Sequence, residues 1–263
     1  MEEYNYVVKK QEYLRMHQVQ ENHWWYVTRR NFIQTVLVAI QDTQKKRILD
    51  IGCGTGANTN TLRLFGNVIG MDTSPYAKKF YTTDGHTSFV LGSAENIPFT
   101  NETFDLVVMT DVLYHKNITN PLRVLDEVYR VLKPQGYCLI TDCVHPFLFG
   151  PHDVQNQARE RFTKKRLEQL VANAGYVTVR SSYMFMSTFP VFVFARLFAK
   201  WFHPQVSVEE TMNRYINAVF HLLGKLDTSV FKRHNLPFGS SVIILGKKCD
   251  TGVKKDMYIK KSR

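Results

Sequence analysis

The chain has 263 residues, of which 44% are hydrophobic and 22% charged. That composition excludes a disordered, collagenous or coiled-coil protein and leaves one large α/β domain or two small ones. Lys and Arg (34) outnumber Asp and Glu (23), and the resulting +11 favours an anionic partner such as nucleic acid, a membrane surface or a phosphorylated substrate.

Residues from about Glu21 to Ile40 read as a helix, with Ile33, Val36, Leu37 and Ile40 on one face. Arg47 to Asp50 is a short buried strand that enters a glycine loop, and Ala57 to Phe65 a helix. Asn67 to Met71 is a second strand ending at Asp72. Ser74-Pro75 is a helix start, with a capping side chain and Pro at the first helical position. Ser88 to Leu91 and Phe104 to Met109 are strands three and four. The fourth is almost wholly apolar, as expected of a strand buried on both faces. Asn120-Pro121 opens a helix with Leu122, Leu125, Val128 and Leu132 inward, which Lys133-Pro134-Gln135-Gly136 stops. Tyr137 to Thr141 is strand five. Thr163 caps a helix closed by Gly175, Tyr176 to Val179 is strand six, and Ser241 to Leu245 is the last strand.

Strands alternating with helices predict βαβ units. The expected fold is α/β: a Rossmann-like, doubly wound, mostly parallel seven-stranded sheet. The expected organisation is one domain. It has an N-terminal helical cap (1–43), a ligand-binding core (44–183), a helical lid insertion (184–240), the last strand (241–248) and a basic tail (249–263). Lys247 to Arg263 carry a net +5, so the other 246 residues carry only +6. A solvated tail is the simplest reading of that run. Met1-Glu2-Glu3-Tyr4 has no apolar run, so no secretory signal is expected. The longest uncharged stretch, Ser181 to Ala195, has 15 residues including Pro190, against the roughly 20 that span a membrane. Cys53, Cys138, Cys143 and Cys249 show no CxxC spacing and fit a reducing cytosol.

The chemistry starts at Asp50-Ile51-Gly52-Cys53-Gly54-Thr55-Gly56, between a strand and a helix. Glycines there let the backbone turn sharply and let a ligand approach closely. The helix that follows aims free N–H groups at the ligand. Asp72, 20 residues after Gly52, ends the next strand, where a carboxylate accepts from the two ribose hydroxyls of a nucleoside. Gly52-x-Gly54-x-x-Ala57 also satisfies the pattern for nicotinamide cofactors. The loop holds no Lys or Arg to neutralise a phosphate.

Leu49 to Gly56 resembles the first motif of class I S-adenosylmethionine-dependent methyltransferases, and further segments agree in the family's order. Met71-Asp72-Thr73-Ser74 resembles the ribose-binding motif. Gly92-Ser93-Ala94-Glu95-Asn96-Ile97-Pro98-Phe99 resembles the adenine-side loop. Phe104 to Val108 with Leu113-Tyr114-His115 resembles strand four and its active-site end. Glu127 to Gly136 resembles the helix and turn before strand five, and Phe162-Thr163 to Ala174-Gly175-Tyr176 the next helix. The subgroup of greatest similarity is that of ubiquinone/menaquinone-type small-molecule methyltransferases. The resemblance covers about residue 21 to residue 248. It implies S-adenosyl-L-methionine as cofactor, met by Asp50, Gly52, Cys53, Gly54 and Gly56, by Asp72 and Thr73, by Ser93, Ala94 and Glu95, and by Thr110. The family often has Asp where this chain has Ser93, which accepts a hydrogen bond without charge.

Methyl transfer is an in-line displacement that the protein mainly aligns. A base is needed only where the acceptor must lose a proton. His115, beyond strand four, is the first candidate for base or acceptor-orienting group, and His145, after strand five, the second. Asp142, His152 and Asp153 are weaker. Their spacing matches no metal-ligand signature, and no metal is expected. His23-Trp24-Trp25-Tyr26 with Arg29-Arg30 resembles a segment that forms a helix over the cofactor pocket in this subgroup, where aromatic rings exclude water and shield a sulfonium.

Eight of the 20 residues from Tyr183 to Phe202 are aromatic, Trp201 and Phe202 among them. Ser207-x-x-Glu210 is a capping box. Met212, Tyr215, Ile216, Val219, Phe220 and Leu223 then form an apolar stripe. This lid suits a small acceptor that is apolar or lipid-like, and also shallow contact of a cytoplasmic protein with a membrane periphery. A packed lid core or a homodimer interface is the alternative. Nucleic-acid methylation is disfavoured, because Thr110-Asp111-Val112-Leu113-Tyr114 lacks the Asn/Asp-Pro-Pro-aromatic motif of base-amino enzymes and no Pro-Cys nucleophile is present. A non-catalytic S-adenosylmethionine-binding protein and a nicotinamide oxidoreductase complete the alternatives.

Overall fold

A computed structural model describes residues 11, 13–40, 45–86, 88–202 and 213–249. The tail from 250 onward, the Ser207/Glu210 capping box and Met212 lie outside the described residues, as do the side chains of His152, Trp201 and Phe202.

After a helical segment over 13–19, the elements run α1 (Trp24–Ala39), β1 (Lys46–Ile51), α2 (Thr59–Arg63), β2 (Gly66–Asp72), α3 (Pro75–Thr83), β3 (Phe89–Leu91) and β4 (Phe104–Thr110). Then come α4 (Pro121–Val131), β5 (Leu132–Cys143), a 3-10 turn at Pro146–Leu148, α5 (Pro151–Gln155), α6 (Lys164–Asn173), β6 (Tyr176–Met184), α7 (Phe189–Phe202), α8 (Arg214–Phe231) and β7 (Ser241–Lys248). The seven strands form one sheet in the order β3-β2-β1-β4-β5-β7-β6. β1 to β5 pair in parallel, and β7 runs antiparallel to both β5 and β6. The expected Rossmann-like, mostly parallel seven-stranded sheet is the observed one.

Strand alternation sorts the core into two layers. Leu49, Ile51, Val107, Met109 and Ile140 face the side covered by α4 and α6. Ile48, Leu106, Val108 and Leu139 face Phe32, Ile33, Val36 and Leu37 of α1. β4 is buried on both faces, which is why its sequence is nearly continuous in apolar residues. Capping residues fix the helix starts. The Asn120 carboxamide accepts from the Leu122 and Arg123 N–H groups at 3.0 and 3.3 Å. The Thr163 hydroxyl accepts from Arg166 N at 3.2 Å, and Gly175 closes α6 at φ +89°.

Three elements depart from expectation. α2 is only Thr59–Arg63, because Ala57 and Asn58 belong to the turn of the glycine loop. β5 starts at Leu132, five residues early: Lys133 to Gly136 form a bulge with Gln135 at φ +62°, after which pairing with β4 resumes. β6 runs to Met184 because β7 pairs along its whole length, with a bulge between Thr178 and Arg180.

Candidate functional site

The chain reverses its strand order between β1 and β4, and in open α/β sheets ligands bind beyond the carboxyl ends of the strands at such a point. A cavity of about 650 Å³ opens there. Its floor is the glycine loop. Gly52 N and Cys53 N donate to the Met71 carbonyl at 2.7 and 3.2 Å, which ties the loop to the end of β2. Gly52, Gly54 and Gly56 all sit at positive φ. A Cβ on Gly52 would lie 2.6 Å from Val112 Cγ2, and one on Gly56 would lie 2.9 Å from His86 Cδ2. Those two glycines therefore answer to packing as well as to backbone twist. Gly54 faces the cavity.

Asp72 is the acid of the site. One carboxylate oxygen accepts from Gly54 N at 3.0 Å; the other accepts from Ser74 N at 2.9 Å and from the Tyr13 hydroxyl at 3.3 Å. Burial pushes its carboxyl above the usual range, and these hydrogen bonds oppose the rise. Asp72 lines the cavity beside Cys53, Thr73, Ala94 and Thr110. Burial also pushes the Cys53 thiol up, so it stays protonated. Asn58 donates to the Thr110 hydroxyl at 2.8 Å, while its own carbonyl oxygen is buried without a partner.

Four sequence-derived site residues do not line the cavity. Asp50 is fully buried, one oxygen 3.4 Å from the Thr59 hydroxyl and the other without a partner. Burial raises its carboxyl to about 7. Gly56 backs onto His86 and Tyr81. Ser93 turns its hydroxyl to Glu95 N at 3.2 Å. Glu95 accepts from Thr119 N, the Thr119 hydroxyl and Asn120 N at 2.7–2.9 Å, and these bonds hold its carboxyl below the usual range. Its part is to fasten the β3 side of the cavity to the loop before α4.

Of the two histidines, His115 lines the cavity and His145 does not. His145 adopts φ +71°, places Nε2 2.9 Å from the Gly239 carbonyl and stacks on Tyr183 with ring planes 3° apart. Burial lowers its pKa. Asp142, near the end of β5, is fully buried, and burial holds its carboxyl well above the ordinary value. Among the described residues no three His, Cys, Asp or Glu side chains group closely enough to hold a metal ion.

The roof comes from both ends of the chain. His23, Trp24, Trp25 and Tyr26 of the cap line the cavity, as do Val191 and Phe192 of α7 and Ile216 and Phe220 of α8. Sequence reasoning missed the ion pairs that brace this roof. Arg29 of α1 pairs with Asp111, which follows β4 at φ +55°, and its guanidinium lies 4.3 Å from the Trp25 ring centroid. Asp153 pairs with Arg161 at 2.8 Å, both side chains being 3% exposed, and with Arg196 of α7 at 3.4 Å. Arg29 and Asp111 stand 82 residues apart, so no local pattern announces the pair.

These glycines, this acid and the absence of Lys and Arg from the loop fit a nucleoside whose far end is cationic. Residues 49–140 match the family model described as the methyltransferase domain. The chain is 32% identical over 113 residues to a demethylmenaquinone methyltransferase of Clavibacter sepedonicus, covering 41% of this chain and 45% of that one. It is 34% identical over 132 residues to a phthiotriol/phenolphthiotriol dimycocerosates methyltransferase of Mycobacterium leprae, covering 48% and 46%. The chain thus spans about half the length of the curated relatives it matches. A solved Haloferax volcanii complex of the Trm112 methyltransferase activator with a methyltransferase contains a chain of similar fold, at TM-score 0.58 and 16% identity, covering 90% of this chain and 94% of that one. Residues 49–140 therefore match a methyltransferase domain.

Proposed function

We propose that the whole chain is an S-adenosylmethionine-dependent methyltransferase acting on a small, apolar or lipid-like acceptor. One observation carries the reading: the Gly54–Asp72 floor and the roof of α1, α7 and α8 enclose a single cavity. Bound there, the cofactor supplies a methyl group already activated as a sulfonium.

Asp72 accepts hydrogen bonds from ribose hydroxyls, and Gly54 allows the backbone to lie close to the ligand. Thr73, Ala94 and Cys53 complete that half. Phe192, Ile216 and Phe220 supply an apolar surface for the acceptor, and Trp24 and Tyr26 keep water out. Alignment of two ligands in one cavity contributes up to about 7–11 kcal/mol of barrier lowering. His115 is positioned to take a proton from an acceptor O–H or N–H that must lose one. The relatives' names support an apolar acceptor, since one acts on a menaquinone precursor and the other on dimycocerosates.

Titration calorimetry with S-adenosylhomocysteine and with NAD tests the reading. Binding of the first and not the second is expected, and no binding of S-adenosylhomocysteine at millimolar concentration refutes it. Mass spectrometry of a cell extract incubated with labelled cofactor then identifies the acceptor.

A further inference from the structure

An amphipathic helix normally turns its apolar stripe to the core. α8 does the reverse along most of its length. Tyr215, Val219, Leu222 and Leu226 are 55–70% exposed. At about 100° per residue they fall within an arc of about 60°. The buried residues of α8 include Gly224, Asp227 and Thr228, and Gly224 is pressed so closely on Thr28 of α1 that a Cβ would lie 2.1 Å from its hydroxyl. On α7, Phe194 and Leu197 are also exposed. Val191 and Ile216 are each about half exposed and also line the cavity, so both faces border its mouth.

Among the described residues of α7 and α8 the exposed charge has one sign. In α7 and α8 together the only acidic residue is Asp227, which is fully buried and accepts from Ser187 N. Arg214 and Lys225 are exposed and lie about a quarter turn to the same side of the α8 stripe. Lys232 and Arg233 follow the helix, also exposed. An apolar stripe edged by long cationic side chains is the pattern of a helix lying in a lipid interface, its stripe at the acyl boundary and its cations among anionic headgroups.

We propose that α7 and α8 form a docking face for an anionic lipid surface, with the cavity mouth at Val191 and Ile216 turned toward the bilayer. Entry of an apolar acceptor through that mouth rests on the methyltransferase reading, whereas docking does not. A second copy of this chain suits the face less well. A two-fold interface would set Arg214 and Lys225 of one copy against the same row of the other, with no exposed acid on either helix to pair with them.

The test is sedimentation of the full chain with vesicles of phosphatidylcholine, with and without phosphatidylglycerol. The protein is expected to pellet with the mixed vesicles, to stay in solution with phosphatidylcholine alone, and to be released by salt. Val219→Glu combined with Leu222→Glu should weaken partitioning about tenfold or more. Arg214→Gln with Lys225→Gln should abolish the preference for anionic lipid. None of these four residues lines the cavity, so each variant should keep wild-type affinity for S-adenosylhomocysteine, which also certifies its fold. The proposal is overturned if the wild type ignores both vesicles, or if the double Glu variant pellets like the wild type. It is also overturned if ultracentrifugation finds a dimer that Leu222→Glu dissociates. If vesicle binding holds while S-adenosylhomocysteine fails to bind, the methyltransferase reading falls and docking stands.

Discussion

Asp72→Asn separates the ribose assignment from simple loop packing. The carboxylate has about four acceptor sites, and Gly54 N, Ser74 N and the Tyr13 hydroxyl already donate to it. An amide replaces one oxygen with a donor. If its NH2 faces Gly54, two donors meet. If it faces Ser74, the same occurs there, although the Tyr13 hydroxyl can rotate to accept. Either way one backbone N–H loses its partner, and a ligand hydroxyl meets a neutral acceptor in place of a charged one. Hydrogen bonds to charged groups are worth about 1.5–3 kcal/mol. S-adenosylhomocysteine affinity should therefore fall about ten- to 150-fold. Calorimetry measures it, with thermal unfolding of the same sample to show that the variant is folded. Affinity in the wild type should also decline as pH is lowered through the raised Asp72 value, because the protonated carboxyl accepts less well. A folded Asp72→Asn protein that binds S-adenosylhomocysteine as tightly as the wild type would refute the assignment.

Gly52→Ala puts a Cβ 2.6 Å from Val112 at φ +68°; thermal unfolding should show a loss of about 1–3 kcal/mol, and an unchanged melting temperature would disprove the crowding. Asp50 titrates near 3.8 unfolded and at about 7 folded, so between those values the folded chain holds a proton the unfolded chain lacks. Stability should thus fall as pH rises through that window, by at most about 4 kcal/mol. Asp50→Asn should flatten that part of the wild-type slope, and parallel slopes would show the carboxyl to be ordinary. Arg161→Met takes from the buried Asp153 its 2.8 Å partner and leaves Arg196 at 3.4 Å and Gly150 N at 2.9 Å. A loss of about 3–5 kcal/mol in denaturant unfolding is expected, and a loss under 1 kcal/mol would mean that water reaches the pair. His115→Ala should reduce turnover while leaving S-adenosylhomocysteine affinity within about twofold; equal turnover would retire it as a base.

The fold was legible because period and punctuation agreed. β4 reads as one apolar run, and the starts at Ser74-Pro75, Asn120-Pro121 and Thr163 are the observed caps. What failed were lengths set by tertiary pairing. Lys133 to Gly136 carries every sign of a stop, yet the strand begins before it, because β4 offers partners on both sides of the bulge. Nothing local to Arg180–Met184 says strand; β7 does, by supplying its ladder. The apolar stripe expected on α8 splits for a similar reason. Ile216 and Phe220 reach the cavity, whereas Tyr215 and Val219 are left outside, because Gly224 and Thr228 are small enough to let α8 close on α1.

The two acids of the loop motif show where a motif stops informing. Asp50 lies one residue before the end of β1 and Asp72 ends β2, and both look like ligand groups. Side chains alternate along a strand, and Asp50 shares its parity with Ile48, which packs in the layer of α1. That parity sends the Asp50 carboxylate under the start of α2, to Thr59, away from the cavity. Asp72 is the last residue of β2, where alternation gives way to the turn that Ser74 caps, and its carboxylate reaches the Gly54 N–H instead. The same chemistry thus divides into a fully buried group that titrates near neutrality and a group that lines the cavity. Strand register decides which is which, and register is set by pairing with β2 and β4. His145 and Glu95 follow the same logic. Each sits at the correct edge of the sheet, and each spends its polar atoms on backbone that shapes the wall.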